Sequence, residues 1–269
     1  MYKILNMYLN SISNKNNVGR PNKMDNKHYI DNILHVLKTG IQWKEINSTL
    51  HYTTYHKKFI NWNNNKVFQN VFYILIKLLK LKNKINEQVI KNLYIDSTMI
   101  KNNRGIDLLG PNHYDRFRKG NKISIIVTNT GIPLGMTMNK SNVHDINLVE
   151  DNLDDITIKI VNSRLGGDKG YNSAKLKNNL NTKNISLVYY PKKNSNIILS
   201  NEDKTFLKKR YIVENTFSWL KNNKRLSNRY DANSNNFIQF WYLGFIKLIT
   251  NRYNKLTLSN FEFNNINYL

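Results

Sequence analysis

The chain has 269 residues, with 41 Lys and Arg against 18 Asp and Glu, so its formal net charge is +23 at neutral pH. It contains no Cys, which excludes disulfides, a thiolate nucleophile and zinc or iron–sulfur sites built on Cys. Hydrophobic residues make up 40% of the chain, enough for a sizeable core, which excludes wholesale disorder. The positive charge indicates a polyanionic partner, although an A/T-rich coding sequence can account for part of it.

Two apolar stretches, residues 71–81 and 237–249, are shorter than the roughly 20 residues needed to cross a bilayer, and lysines interrupt both. The first ten residues lack the charged start and apolar run of a signal peptide. We therefore expect an intracellular protein that has no membrane association.

The first ninety residues are predicted to be helical. Asp25 or Asn26 can cap a helix whose apolar residues recur at helical spacing, and Gly40 can end it. Two more helices are expected, one from about Thr53 and one over residues 66–82.

Three short helices are compatible with a helix-turn-helix, and Lys57 and Lys58 lie on the second of them. We therefore predict a DNA-binding domain over residues 1–90. An all-helical cap with a solvated basic face is an equal alternative. Ahead of the helices, Arg20 lies in a short Gly-Arg-Pro string that can enter a minor groove, although an unstructured tail explains it as well.

From Leu93 onward, β-branched runs and turn signals predict three strands, a helix, a strand, a helix and a strand. The pattern becomes helical again after residue 201. This order predicts an α/β domain over residues 91–269, with a sheet flanked by helices. The predicted strands are 93–95, 122–129, 132–139, 163–167 and 185–190, and the predicted helices are 144–155, 173–182, 201–222 and 237–249.

Three carboxylates lie where structure alone does not require them. Asp96 directly follows an apolar run, so we expect it to end a buried strand, and Asp168 follows a Gly-Gly pair at the end of another strand. Glu214 lies in the basic helix beside apolar residues. Taken singly, each can be an ordinary turn or surface acid. Together they predict a cluster at the ends of neighbouring strands, and hard oxygen ligands of this kind suit Mg²⁺ or Mn²⁺.

The helix around Glu214 adds two cations. Arg210 is four residues before Glu214 and Lys221 is seven after it, so all three project from nearly one helix face. The cations can grip phosphates beside the acid. A surface ion pair and a solvated lysine are the alternative.

These residues belong to strings that resemble the signatures of DDE transposases of bacterial insertion sequences, in the insertion-sequence four and five superfamily. The specific strings are Tyr-Ile-Asp96-Ser-Thr, Gly-Gly-Asp168-Lys-Gly-Tyr171 and Arg210-Tyr-Ile-Val-Glu214 followed by Lys221. Weaker strings are Gly19-Arg20-Pro21, Leu37-Lys-Thr-Gly40 with Trp43, Asn142-Val-His144-Asp145 and Pro191-Lys192-Lys193. The resemblance covers roughly residues 19–250.

The resemblance implies an RNase H-like catalytic domain in which Asp96, Asp168 and Glu214 bind two Mg²⁺ ions, with Mn²⁺ as a possible substitute. It implies that the enzyme cleaves transposon ends and joins the resulting 3′-hydroxyl to target DNA. Arg210 and Lys221 are then expected to approach DNA phosphates. One position departs from the family pattern, because Leu207 stands where a Tyr often precedes the Arg.

Other residues near these strings are candidates for the same site. Lys169 and Tyr171 can touch DNA or only shape the loop after Asp168. His144 and Asp145 can lie near the metal ions, and His144 can equally begin the next helix.

The expected partner is double-stranded DNA, as transposon ends and target. We expect at least a dimer, because two ends must be brought together. Two alternatives remain open at this point: a catalytically silent DNA-binding regulator derived from a transposase, and an RNase H-like nuclease without strand transfer.

Overall fold

A computed structural model describes residues 1–13, 24–113, 115–191 and 198–253. Arg20, Lys192 and Lys193 lie outside these residues. Short 3₁₀ helices cover Trp43–Glu45, Asp145–Leu148 and Lys169–Tyr171. The α-helices are α1 (Tyr2–Ser13), α2 (Asn26–Thr39), α3 (Tyr52–Asn64), α4 (Val67–Leu81), α5 (Glu87–Ile90), α6 (Val149–Asp154), α7 (Ala174–Thr182), α8 (Asn201–Lys208), α9 (Tyr211–Lys221), α10 (Lys224–Ser227) and α11 (Ser234–Arg252).

The strands form a mixed sheet. β1 pairs with β3 antiparallel and with β5 parallel, and β5 pairs with β6 parallel. β2 and β4 both pair with β3 antiparallel. The strands are β1 (Asn92–Asn102), β2 (Gly110–Pro111), β3 (Lys119–Thr128), β4 (Pro133–Lys140), β5 (Ser163–Gly167), β6 (Ile185–Tyr189) and β7 (Asn228–Arg229).

The described chain divides into two compact units. Residues 1–75 and those from 220 onward form the first unit, and residues 76–219 form the second, which holds strands β1 to β6. The functional division into a DNA-binding domain at 1–90 and a catalytic domain at 91–269 stays a prediction. The predicted α/β class, a mixed sheet flanked by helices together with a helical N-terminal region, is confirmed.

The predicted elements recur in the predicted order. Helix α2 begins after Asp25, whose side chain accepts a hydrogen bond from the backbone N–H of His28. It ends at Gly40, which adopts the left-handed conformation (φ 71°) that favours glycine. Strand β5 has the predicted bounds, and α7 starts after Ser173, whose hydroxyl accepts from the N–H of Leu176.

Two predicted helices differ from the structure. The helix predicted over 201–222 is interrupted at Lys209 and Arg210, where backbone N–H groups bond three residues back instead of four. The helix predicted over 144–155 is a 3₁₀ turn followed by α6. Both interruptions lie beside acids of the candidate site.

The first unit has an aromatic core. Phe59 of α3 stacks on Phe240 of α11, with ring centroids 4.3 Å apart. Arg225 is buried with Asp231, at 2.9 Å between Nη2 and Oδ1, and its guanidinium lies 5.2 Å from the centre of the Phe240 ring. A buried pair of this kind is stable only while both partners are present.

Candidate active site

Asp96 lies within β1, not at its end. The buried residues Leu93, Tyr94 and Ile95 precede it as predicted. The strand does not stop there, because its antiparallel pairing with β3 continues to Lys101, opposite Gly120. The prediction that Asp96 ends a strand is therefore wrong. The long strand β3 pairs with β1 beyond Asp96, and these backbone hydrogen bonds keep the polar residues after Asp96 in the strand.

Asp168 directly follows β5 and caps the 3₁₀ helix Lys169–Tyr171, accepting a hydrogen bond from the N–H of Gly170 at 2.7 Å. The parallel register places Tyr94 opposite Gly166. Asp96 and Asp168 both come two residues after these partners, Asp96 within β1 and Asp168 just past the end of the adjacent strand β5. They are close enough for the charge of Asp168 to act on the Asp96 carboxyl, and their role as a metal-binding cluster stays a prediction.

The Asp96 carboxyl has a raised pKa. Burial is the main cause, and the negative charge of Asp168 adds to it, while the backbone N–H of Ser97 and the guanidinium of Arg210 act in the opposite direction. The Ser97 N–H donates to Oδ1 of Asp96 at 2.8 Å. Perturbed carboxyl pKa values cluster at functional sites.

Arg210 joins Asp96 to Glu214. It directly precedes α9, and its Nη1 donates to Oδ2 of Asp96 at 2.7 Å, while its Nη2 donates to Oε1 of Glu214. Burial lowers the pKa of Arg210, but the two carboxylates outweigh it and the net shift is upward. The ion pair of Arg210 with Glu214 corresponds to the alternative interpretation of this helix, and the guanidinium has a second partner 114 residues away in the chain.

Asp145 is a fourth acid beside these residues. Its Oδ1 accepts a hydrogen bond from the Ser97 hydroxyl at 2.5 Å and forms an ion pair with the Lys122 ammonium at 2.9 Å. Lys122 also donates to the carbonyl of Val143 at 2.7 Å, and its side chain is only 7% exposed. Sequence reasoning missed Lys122, because it begins a β-branched run that indicates only a strand.

His144 begins the 3₁₀ helix that carries Asp145. Its Nδ1 accepts from the N–H of Ile146 at 3.4 Å, and its side chain is exposed. This corresponds to the alternative interpretation of His144, as a residue that starts the next helix.

Tyr171 is buried among the acids. Its pKa is raised well above the ordinary value by burial and by the negative charges of Asp145, Asp96 and Asp168. A Cβ at Gly167 would lie 2.6 Å from the Tyr171 ring, so the ring packs directly against the glycine backbone. Tyr171 thus shapes the floor beneath the acids and stays protonated at neutral pH.

The donor set suits a hard divalent cation in its chemistry, because Asp96, Asp168 and Glu214 supply oxygen ligands. Within the described part of the chain, no three Asp, Glu or His side chains are gathered closely enough to hold a metal ion. Arg210 stands between Asp96 and Glu214 and forms an ion pair with each of them.

The residues predicted to bind DNA have different surroundings. Lys169 is exposed in the 3₁₀ helix after Asp168, and Lys57 is exposed on α3. Lys58 lies 5.3 Å above the ring of Tyr29 and 5.6 Å from that of Trp62, and burial lowers its pKa. Lys221 lies in the last turn of α9 and belongs to the first unit; burial lowers its pKa too.

Among the described residues, no helix is both long enough and apolar enough to cross a membrane.

Two family models match the sequence. One, described as a transposase DDE domain, matches residues 88–248, and the other, described as a putative transposase of the IS4/5 family, matches residues 1–72. No curated protein sequence gives a significant match.

Solved structures of a transposase are also similar. The Mos1 strand transfer complex is 11% identical, covers 93% of this chain and 82% of its own, and has a TM-score of 0.31. The Mos1 paired-end complex with the left transposon end is 9% identical, covers 78% and 79%, and has a TM-score of 0.28. The DDE domain match spans more than half of the chain and contains Asp96, Asp168 and Glu214, and on that ground the chain belongs to the DDE transposases of the IS4/5 type.

Proposed function

We propose that the chain is an active DNA transposase that binds the ends of its element, cleaves them and joins the 3′-hydroxyl to target DNA. The observation that carries this proposal is the position of Asp96 in β1 and of Asp168 just past the end of the adjacent parallel strand β5, with Arg210 linking Asp96 to Glu214. Binding alone gives no reason to place three carboxylates against a polyanion.

Asp96, Asp168 and Glu214 would hold two Mg²⁺ ions, or Mn²⁺ in their place. Such ions would supply an activated water and stabilise the attacking and leaving oxygens of an in-line displacement. Asp96 of β1 and Asp168 at the end of β5 would be the first ligands, and Glu214 would complete the set from α9. Ser97 and Asp145 orient Asp96 through the hydrogen bonds described above.

In this proposal Arg210 changes its partners when DNA binds. Its guanidinium neutralises Asp96 and Glu214 when no substrate is bound. A DNA phosphate is an equivalent bidentate acceptor, so DNA draws Arg210 away and frees both carboxylates. Lys169, Lys221, Lys57, Lys58 and Arg20 add further phosphate contacts, and two protomers bring two ends together.

The test is cleavage of DNA that carries the inverted repeats flanking the gene, with Mg²⁺ present. Wild type should nick it, whereas Asp96→Asn, Asp168→Asn and Glu214→Gln should bind it without nicking. Asp151→Asn serves as the matched control, because Asp151 is an exposed acid on α6. Its activity should equal that of wild type.

The ion pairs that Arg210 forms with Asp96 and Glu214 favour a second candidate, a catalytically silent DNA-binding regulator. That protein would bind the same DNA and leave it intact with every divalent metal tested. A nuclease without strand transfer would nick the DNA and yield no joined products. Equal nicking by wild type and by the three acid variants would overturn the assignment of the acids.

A further inference from the structure

A cavity of about 860 Å³ lies in the second unit, away from the acids. Lysines reach it from three places: Lys80 from the end of α4, Lys91 from the end of α5 and Lys159 from the segment before β5. All three are exposed, and Glu87 is the acid among the lining residues. The cavity therefore presents a net positive wall to solvent.

The lining is held in place by local hydrogen bonds. Asn83 and Asn162 adopt left-handed backbone conformations, with φ 55° and 50°, which Asn tolerates better than most residues. The N–H of Asn83 donates to the carbonyl of Lys80 at 3.0 Å, and the N–H of Arg164 donates to that of Lys91 at 2.7 Å. The backbones that carry these two lysines are therefore fixed before any ligand binds.

The floor of the cavity is apolar, with Ile85 and Ile90 almost fully buried. Amide side chains, including those of Asn83 and Asn162, surround it. Lysines at the rim with hydrogen-bonding amides between them match a sugar-phosphate chain, because lysine binds phosphate as a point charge and amides reach phosphate and sugar oxygens.

The cavity is within reach of a duplex bound at the acids. Lys91 precedes β1 and is five residues before Asp96, so at most about 16 Å of chain separates them. Duplex DNA carries one negative charge per about 1.7 Å, and half a helical turn is about 17 Å. A duplex held at the acids is long enough to reach the cavity.

We infer that this cavity binds the phosphate backbone of DNA, as a contact separate from the acids. The inference rests on the proposed function, since it assigns the substrate of that function a second binding position. It makes Lys80, Lys91 and Lys159 binding residues with no part in the chemistry.

The test measures how DNA affinity changes with salt, using a duplex of arbitrary sequence and no divalent metal, so that cleavage plays no part. Each lost phosphate contact lowers the slope of log K against log salt by about 0.9. For the triple variant Lys80→Gln, Lys91→Gln and Lys159→Gln, the magnitude of this slope should therefore be smaller than that of wild type by about 2 to 3.

Two controls accompany this variant. Lys177→Gln, Lys183→Gln and Lys204→Gln removes the same charge from exposed positions on and beside α7 and α8, outside the cavity, and should lower the slope by less than about 1. Replacement of the three cavity lysines by Arg keeps the charges and should retain the slope.

Equal slopes for the cavity variant and the charge-matched control would overturn the inference. If wild type cleaves end DNA and the cavity variant binds DNA as wild type does, the proposed DNA contact at the cavity is refuted. The proposed function is then unaffected. Absence of any salt-dependent binding by wild type would refute both.

Discussion

Replacement of Asp145 by Asn removes the negative partner of a buried cation. Lys122 has a side chain only 7% exposed, and its ammonium lies 2.9 Å from Asp145 and 2.7 Å from the Val143 carbonyl. Asp145→Asn preserves the shape of the side chain. Lys122 loses its ion pair with Asp145 and keeps its hydrogen bond to the carbonyl of Val143. The variant therefore isolates the charge of Asp145.

The expected cost follows from the burial of the pair. Breaking a fully buried ion pair costs about 3–5 kcal/mol. The Asp145 side chain is 30% exposed, so water screens part of this interaction, and we expect a loss of about 2 kcal/mol in the free energy of unfolding. For a chain of this size the melting temperature should fall by about 4–8 °C.

The assay is a double-mutant cycle read by urea or thermal unfolding. Lys122→Met removes the cation and keeps most of its apolar length, so the double variant should unfold within about 1 kcal/mol of wild type. Cleavage below the melting temperature should be reduced both in Asp145→Asn and in the double variant, because a neutral amide oxygen accepts the hydrogen bond of the Ser97 hydroxyl more weakly than the carboxylate does.

Two results would refute this reasoning. If Asp145→Asn costs less than about 0.5 kcal/mol and shows no coupling to Lys122→Met, the pair does not stabilise the fold. If the double variant regains full cleavage, Asp145 stabilises the fold without positioning the site.

Three further predictions concern the fold. Asp231→Ala should cost about 3–5 kcal/mol in unfolding experiments, because it leaves the buried guanidinium of Arg225 unpaired, whereas an unfolding curve like that of wild type would show that the pair is dispensable. Gly167→Ala should cost about 1–3 kcal/mol, because its Cβ would lie 2.6 Å from the Tyr171 ring, and an unchanged melting temperature would mean that the ring moves freely. Gly40→Ala should cost about 1 kcal/mol or more, because φ is 71° there; thermal melting tests this, and no loss would indicate that the loop rearranges.

Much of the fold can be predicted from the sequence, because local signals and tertiary structure agree. Asp25 and Gly40 bound α2 through capping, which acts over a few residues. The strand before Asp168 is likewise bounded correctly, because the Gly-Gly pair and the polar string after it end the apolar pattern.

The partners of the site residues could not be predicted, because they depend on contacts between distant segments. Local spacing indicates the pair of Arg210 with Glu214, but the bond from Arg210 to Asp96 appears only once β1 and α9 are packed. The continuation of β1 past Asp96 depends on its ladder with β3. The sequence around Lys122 indicates only a strand residue with a solvated ammonium, and its buried ion pair depends on Asp145, which lies 23 residues later in the chain.

The joined product of strand transfer tests the central claim most directly. With DNA that carries the element's ends, Mg²⁺ and a target duplex, wild type should yield molecules in which the transposon 3′-end is covalently linked to the target. Asp96→Asn, Asp168→Asn and Glu214→Gln should each bind the ends and yield none. Joined product at the wild-type level from any one of these variants would contradict the account that the three acids act as a single catalytic set.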